Sequence, residues 1–330
     1  MGIFAYGAMV AYIIILGDTV PHIAAQAGIE FLRDRTVVII LFSTIFILPL
    51  CLLRDMSSLA WSSFVSVLAD FILVGILVSA APEAAEVQGI SVETENAPFA
   101  LIRPTIFAGI GSMSFAFTCH HSSFFVHGSM RKPTARRWSI VTHLSVGISF
   151  IACTVLGLAG YLTFFSQVES DILNNFDNGD GIINFARALL ASTMIFTYPM
   201  EQYVARHSLN AILCKHEGEM CNFRHISFTL LLWGSSIVLG LSFRELGIVL
   251  ELTGAIGASL LGYILPGMIY FSVKHHEFTA VKTLWRSGSP GYIPNLKERL
   301  HKSKQFIMPG IMVTFGVIAM VVGTISAFFD

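Results

Sequence analysis

The residues of this chain best placed to do chemistry lie in one stretch. Between Gly111 and Gly128, the polar side chains of Ser112, Ser114, Thr118, Cys119, His120, His121 and His127 interrupt residues apolar enough to cross a bilayer. An unpartnered polar group in hydrocarbon is costly, so these side chains must face a water-lined cavity or a neighbouring helix. Polarity at that depth reads by default as a pathway or a binding site. Two backbone readings are open. A helix broken within 114–121 would turn main-chain carbonyls and amides toward mid-membrane, where they hold an ion or a charged amino or carboxylate group. Gly109 and Gly111, each costing a helix about 1 kcal/mol, and Pro104 at the start favour a break. An unbroken helix would instead bond the Ser112, Ser114 and Thr118 hydroxyls back to carbonyls one turn earlier. His120 and His121 point about 100 degrees apart on a helix and have no second histidine cluster to join, so no metal centre is expected. A histidine titrating near neutral pH is compatible with the same residues.

A second group follows Arg187: Ser192, Thr193, Thr197, Tyr198, Pro199 and Glu201. Neighbouring hydroxyls in a spanning helix suit a hard monovalent cation, which takes several neutral oxygens. The same residues also suit close helix packing. Asp70 stands between apolar neighbours, where a carboxylate needs a partner, with Arg187 available, or a proton. Glu251 precedes the small-residue run Thr253, Gly254, Gly257 and Ser259, which permits close helix contact or a gate. No nucleophile, base and orienting acid converge, so the chain is not read as an enzyme.

The elements that must position these groups follow from composition. Of 330 residues 54% are hydrophobic and 12% charged, with a mean hydropathy of +0.71; soluble domains carry roughly twice that charge. Nine apolar segments can be drawn, at 2–23, 36–53, 59–80, 104–126, 139–165, 181–199, 226–243, 246–273 and 306–329. The expectation is an all-α membrane protein, one polytopic transmembrane domain over 1–330. Fifteen of the 20 Lys and Arg residues fall on one side of this arrangement, among them Arg131, Lys132, Arg136 and Arg137 and the run from Lys274 to Lys304. Positively charged loops stay cytoplasmic, which places Met1 in the cytoplasm and Asp330 on the extracellular or lumenal face. The acidic connections with Glu83, Glu86, Glu93 and Glu95, and with Glu169, Asp171, Asp177 and Asp180, then lie outside. They read as solvated loops or as a cation-attracting rim. Asp177-Asn-Gly-Asp-Gly181 is a turn signal. The five cysteines form no zinc spacing or disulfide framework, no secretory signal precedes the first apolar segment, and nucleic acid is excluded as a partner.

With these residues laid out, the chain resembles the amino acid/auxin permease family, most closely its sodium-coupled neutral amino acid transporter branch. The matching stretches are Ser114-Phe-Ala-Phe-Thr-Cys-His-His121, Thr193-Met-Ile-Phe-Thr-Tyr-Pro-Met-Glu201 with Arg206, Leu250-Glu-Leu-Thr-Gly-Ala-Ile-Gly257 followed by Leu265-Pro266-Gly267, and Leu48-Pro-Leu50 with Leu53-Arg54-Asp55. The resemblance implies the inverted-repeat, leucine-transporter-like fold, with the nine segments as nine spanning helices matching helices 3 to 11 of the family. The family's first two helices have no counterpart. The fourth segment would be the family's broken helix.

What the resemblance implies for function is secondary active transport of small neutral amino acids, coupled to sodium or proton, by alternating access around the break. The substrate would meet Ser114, Phe115, Ala116, Phe117 and Cys119, with Tyr12 approaching it; the coupling ion would meet Ser192 and Thr193, with Thr197 as an alternative. No cofactor beyond that ion is expected, and membrane lipid is the other partner. The plasma membrane and an endolysosomal membrane are both compatible. The alternative reading is a non-transporting, truncated isoform that acts as a membrane regulator or amino-acid sensor.

Overall fold

The computed structural model describes residues 1–54, 60–88, 106–213, 220–273 and 307–329. Glu93, Glu95, Pro104, Asp55, Cys214 and the basic run from Lys274 to Lys304 lie outside them. The described chain is helical and contains no strand: α1 (Gly2–Gln26), α2 (Arg35–Cys51), α3 (Ala60–Gln88), α4 (Ile106–Phe117), α5 (His120–Ser129), α6 (Ala135–Phe164), α7 (Gly181–Leu213), α8 (Asn222–Ser242), α9 (Leu246–Val273) and α10 (Ile307–Phe329). Seven of them, α1, α3 and α6 to α10, are long and apolar enough to cross a membrane. α2 is shorter, and the Gly111 to Gly128 stretch is divided between α4 and α5.

Local chemistry sets the helix ends. Asp34 caps α2 by accepting from the Thr36 (2.7 Å) and Val37 (3.4 Å) amides, and Asp180 accepts from the Ile182 amide at 2.7 Å, each satisfying an amide outside the helical ladder. Gly28 terminates α1 in the left-handed region (φ 70°), with the Ile29 amide donating back to Ala24 O at 2.9 Å. α7 continues 14 residues beyond Pro199, where the sequence segment was drawn to end. A proline is tolerated inside a membrane helix because neighbouring helices re-satisfy the backbone it disturbs.

The helices divide between two compact units. The first holds residues 1–103 and 121–250. At its centre α1 is apolar all round and buries Ala5, Met9, Ile13, Leu16 and Val20 against α2, α7 and α8. Close approach is built in: a side chain at Gly240 of α8 would meet Ile13 Cγ2 at 2.5 Å, and one at Gly17 of α1 would meet Ile39 Cδ1 at 2.6 Å. α3 turns a single stripe inward, Ser66, Ala69, Leu73, Leu77 and Ala81, at helical spacing. Its other faces expose Trp61, Phe64, Val67, Leu68 and Phe71. α6 exposes Ile140, Leu144, Ile148, Ile151, Val155 and Leu158. Apolar faces of that extent fit acyl chains and no aqueous environment. The second unit holds residues 104–120 and 251–330, and so groups α4, the greater part of α9, and α10. The chain passes from the second unit to the first between His120 and His121, immediately after the break.

Candidate functional site

The break between α4 and α5 falls at Thr118 and Cys119. Thr118 donates its hydroxyl to Ser114 O at 2.6 Å, while its amide turns to Phe115 O at 3.2 Å. The side chain bonds the carbonyl that a continuing helix would also offer to that amide, while the amide itself turns away. Thr118 and Cys119 are non-helical, and α5 starts at His120. Of the two backbone readings, the broken helix is observed, and the hydroxyl back-bond accompanies it. At such a junction the last carbonyls of one helix and the first amides of the next fall outside the intrahelical ladder, with the partial charges of two opposed helix ends. Ser114 is buried, Phe115 and Phe117 are half-buried, and Ala116 and Cys119 are exposed.

α4 is held by backbone contact with α9. A Cβ at Gly254 would overlap the Gly111 carbonyl oxygen, and one at Gly111 would come within 3.1 Å of Glu251 O. The small-residue run therefore packs, with Gly254, Ala255, Gly257 and Ala258 all buried. α9 itself widens into π-helical turns at Thr253–Ala258 and Leu260–Ile264, a distortion common at functional positions.

In the first unit a polar cluster sits among α1, α3, α5 and α7. His121 Nε2 lies 3.0 Å from Glu201 Oε1 and 2.9 Å from Oε2. The two side chains are only 4% and 12% exposed, so the pair is shielded from solvent. The Phe4 ring packs on the imidazole at 4.7 Å. Tyr12 is within electrostatic reach of both Glu201 and Asp70, and Asp70 faces Thr193. The Thr193 hydroxyl is buried and interacts with the Asp70 carboxyl.

The first 289 residues match the family model described as transmembrane amino acid transporter protein. This chain belongs to that family. It is 33% identical over 280 residues to the zebrafish (Danio rerio) protein provisionally named sodium-coupled neutral amino acid transporter 11, a match covering 84% of this chain and 61% of the relative. The cattle (Bos taurus) protein of the same name is 30% identical over 334 residues, 98% of this chain and 65% of the relative. Vacuolar amino acid transporter 2 of Saccharomyces cerevisiae is 30% identical over 307 residues, 88% of this chain and 62% of the relative. The chain thus spans less than two thirds of the length of these relatives. Family membership and the apolar helices together make it a multi-pass membrane protein.

The residues that carried the family resemblance do not all serve one place. Ser114 to Cys119 form the break, in the second unit; Tyr12, Ser192, Thr193 and Thr197 belong to the first. Within α7 the three hydroxyls diverge. Ser192 is exposed and donates to Ala188 O at 2.8 Å. Thr193 is buried, and Thr197, one turn on, is half-buried and donates to Thr193 O at 2.8 Å. Tyr12 is half-buried against the core of α1.

Other motif residues are structural. Arg206 donates to Cys51 O (2.8 Å), Leu53 O (3.4 Å) and Thr229 Oγ1 (2.9 Å). His225 Nε2 bonds Leu52 O at 3.1 Å. Together they satisfy the carbonyls at the C-terminal end of α2, where a helix favours a cation. Arg54 adds contacts to Met220 O and Asn222 Oδ1. The Leu48-Pro-Leu50, Leu53-Arg54 and Arg206 motifs are thus one clamp joining α2, α7 and α8. Arg187 does not pair with Asp70: it donates to Asn184 Oδ1 (2.9 Å), Leu173 O (3.0 Å) and Phe176 O (3.4 Å), bracing the 165–180 connection. The reason is position, since Arg187 lies two turns from the start of α7 and reaches the loop that leads into it. Among the described residues Cys51, Cys119, Cys153 and Cys221 form no disulfide.

The His121–Glu201 pair was not singled out from sequence. Both residues stand inside recognisable motifs, yet 80 positions separate them, and nothing in either motif names the other as its partner.

Proposed function

We propose that this chain is the greater part of a secondary active transporter for small neutral amino acids, coupled to a monovalent cation and working by alternating access. The observation that carries this reading is the Thr118–Cys119 break in a family whose model covers residues 1–289. Opposed helix ends present amide and carbonyl polarity without a buried charge, which suits a zwitterion. Ser114, Phe115, Ala116, Phe117 and Cys119 form the substrate-binding stretch, with the aromatic rings lining the side-chain end. The nine apolar segments serve as nine spans matching helices 3 to 11 of an inverted-repeat, leucine-transporter-like fold. Met1 faces the cytoplasm and Asp330 the opposite side. Thr193, whose buried hydroxyl faces the Asp70 carboxyl, is the first choice for the coupling ion, with Ser192 and Thr197 as its neighbours.

Names of relatives support the substrate class: the cattle and zebrafish proteins are named for sodium-coupled neutral amino acid transport, and the yeast protein for vacuolar amino acid transport. The test is uptake of radiolabelled neutral amino acids by proteoliposomes carrying the full chain, under imposed sodium or proton gradients. Gradient-dependent accumulation of at least one of them is expected. No accumulation of any neutral amino acid under either gradient overturns the reading.

A further inference from the structure

We propose that the His121–Glu201 pair is the proton-binding site of this chain, and that the proton it takes up controls how the first turn of α5 is fastened to α7. The inference rests on the transport reading above and goes beyond it: it adds a proton site that regulates transport, distinct from the Ser192, Thr193 and Thr197 hydroxyls.

The geometry assigns the hydrogen atoms. His121 Nε2 contacts both Glu201 oxygens, at 3.0 and 2.9 Å, so Nε2 carries a hydrogen and donates to the carboxylate. Nδ1 is buried and has no hydrogen-bond partner. With a neutral imidazole the pair carries one net negative charge among apolar helices. A hydronium ion gives one proton to Nδ1, so that an O–H bond breaks, the Nδ1–H bond forms and water leaves, giving an imidazolium–carboxylate pair of zero net charge; release reverses the step. The gain is removal of an uncompensated charge from a low-dielectric setting. The cost is a new Nδ1–H with no acceptor in the present arrangement. A shift of His121, and with it the start of α5, supplies one. Proton binding and the position of α5 are therefore linked.

The surroundings leave this pair to answer for its own charge. From α1, Phe4 covers the imidazole and Tyr12 bears on Glu201. From α3, Asp70 bears on Tyr12 and faces Thr193. Further along α7, Tyr203 and His207 pack on Phe125 of α5, and Arg206 is committed to the end of α2. No arginine or lysine reaches Glu201 among the described residues. Depth is consistent from two helices. Phe4 lies in the first turn of α1, and Glu201 lies about 30 Å along α7 from Gly181 at about 1.5 Å per residue. The pair therefore sits toward the face that carries the N-terminus of α1, and a proton leaving it has its shortest route to that side.

The experiment compares wild type with His121→Gln, which keeps an N–H for Glu201 and cannot titrate, and with Glu201→Gln. In proteoliposomes of the full chain, wild-type uptake of a labelled neutral amino acid should fall about tenfold per pH unit on the alkaline side of one titration. His121→Gln should level that profile to within about twofold, since no proton is then bound. Melting temperature against pH, measured on purified protein without substrate, reads the same site independently of transport. A pH-dependent component present in wild type and absent from both variants supports the site even if no amino acid is taken up, in which case the transport reading fails alone. The proposal is overturned if both variants keep the wild-type stability profile, if His121→Gln keeps the tenfold slope, or if uptake follows sodium and ignores pH.

Discussion

Gly254→Ala tests whether α4 is held by backbone contact. The added Cβ falls on the Gly111 carbonyl oxygen and within 3.2 Å of Phe115 Cβ. The Gly111 oxygen belongs to a backbone and cannot rotate aside, so α4 and α9 must separate. Overpacking of this kind costs about 1–3 kcal/mol, against which alanine returns at most about 1 kcal/mol of helix propensity. Gly147→Ala and Gly157→Ala in α6 are matched controls, since nothing stands within 4 Å of a Cβ at either. They keep the propensity gain and meet no neighbour. The assay is thermal unfolding of purified protein in detergent, with aggregation followed by size-exclusion chromatography. Gly254→Ala should lower the melting temperature by several degrees, at roughly 2–4 °C per kcal/mol, while the α6 variants hold or raise it. A Gly254→Ala protein as stable as the α6 variants would refute the close approach of the two backbones.

Three further outcomes follow from the geometry. Thr118→Val removes the hydroxyl bonded to Ser114 O at 2.6 Å beside the break; helix content by circular dichroism should rise and amino acid uptake should fall. Arg206→Met leaves Cys51 O, Leu53 O and Thr229 Oγ1 without their donor, and at about 1.5–3 kcal/mol per charged hydrogen bond it should reduce folded yield sharply. Arg206→Lys should rescue only part, because an ammonium lacks the planar fork. Burial pushes the Asp171 carboxyl above its ordinary range, against the opposing bond from the Leu173 amide. The folded state then holds the proton more tightly than the unfolded chain, so Asp171 contributes a stability that falls as pH rises through that raised value. Asp171→Asn should remove this component from a plot of melting temperature against pH, and an unchanged plot would dismiss it.

Much of this molecule could be read before any coordinates. Long apolar runs need only local chemistry to become helices, because hydrocarbon leaves the backbone no partner but itself. The Asp177 to Gly181 turn was legible for the same reason, whereas the caps at Asp34 and Gly28, local as they are, were seen only in the structure. The polar interruption at Ser114 to His121 showed where something other than a plain span must occur. It left the break undecided, since the Thr118 hydroxyl can bond backward in a continuous helix as well as in a terminated one. That choice is visible only in three dimensions, where the Thr118 amide turns to Phe115 O and the chain beyond His120 joins the other unit.

Side-chain partners were decided by packing alone. Asp70 and Arg187 were each visible as a charge in a span, and proximity along the chain could not tell that Arg187 would turn to the Leu173 and Phe176 carbonyls while Asp70 met Thr193. The motifs containing Arg206, His121 and Glu201 were legible as family features, but the roles of these residues depend on helices that are distant in sequence. A carbonyl orphaned at Cys51 becomes a ligand for Arg206, and a carboxylate at Glu201 becomes a partner for His121, only when α2, α5 and α7 meet. Periodicity is a property of neighbours, and so the sequence determined which segments are helices and where their polarity lies; which charge answers which is a property of three-dimensional contact, settled when burial removed water as the alternative partner.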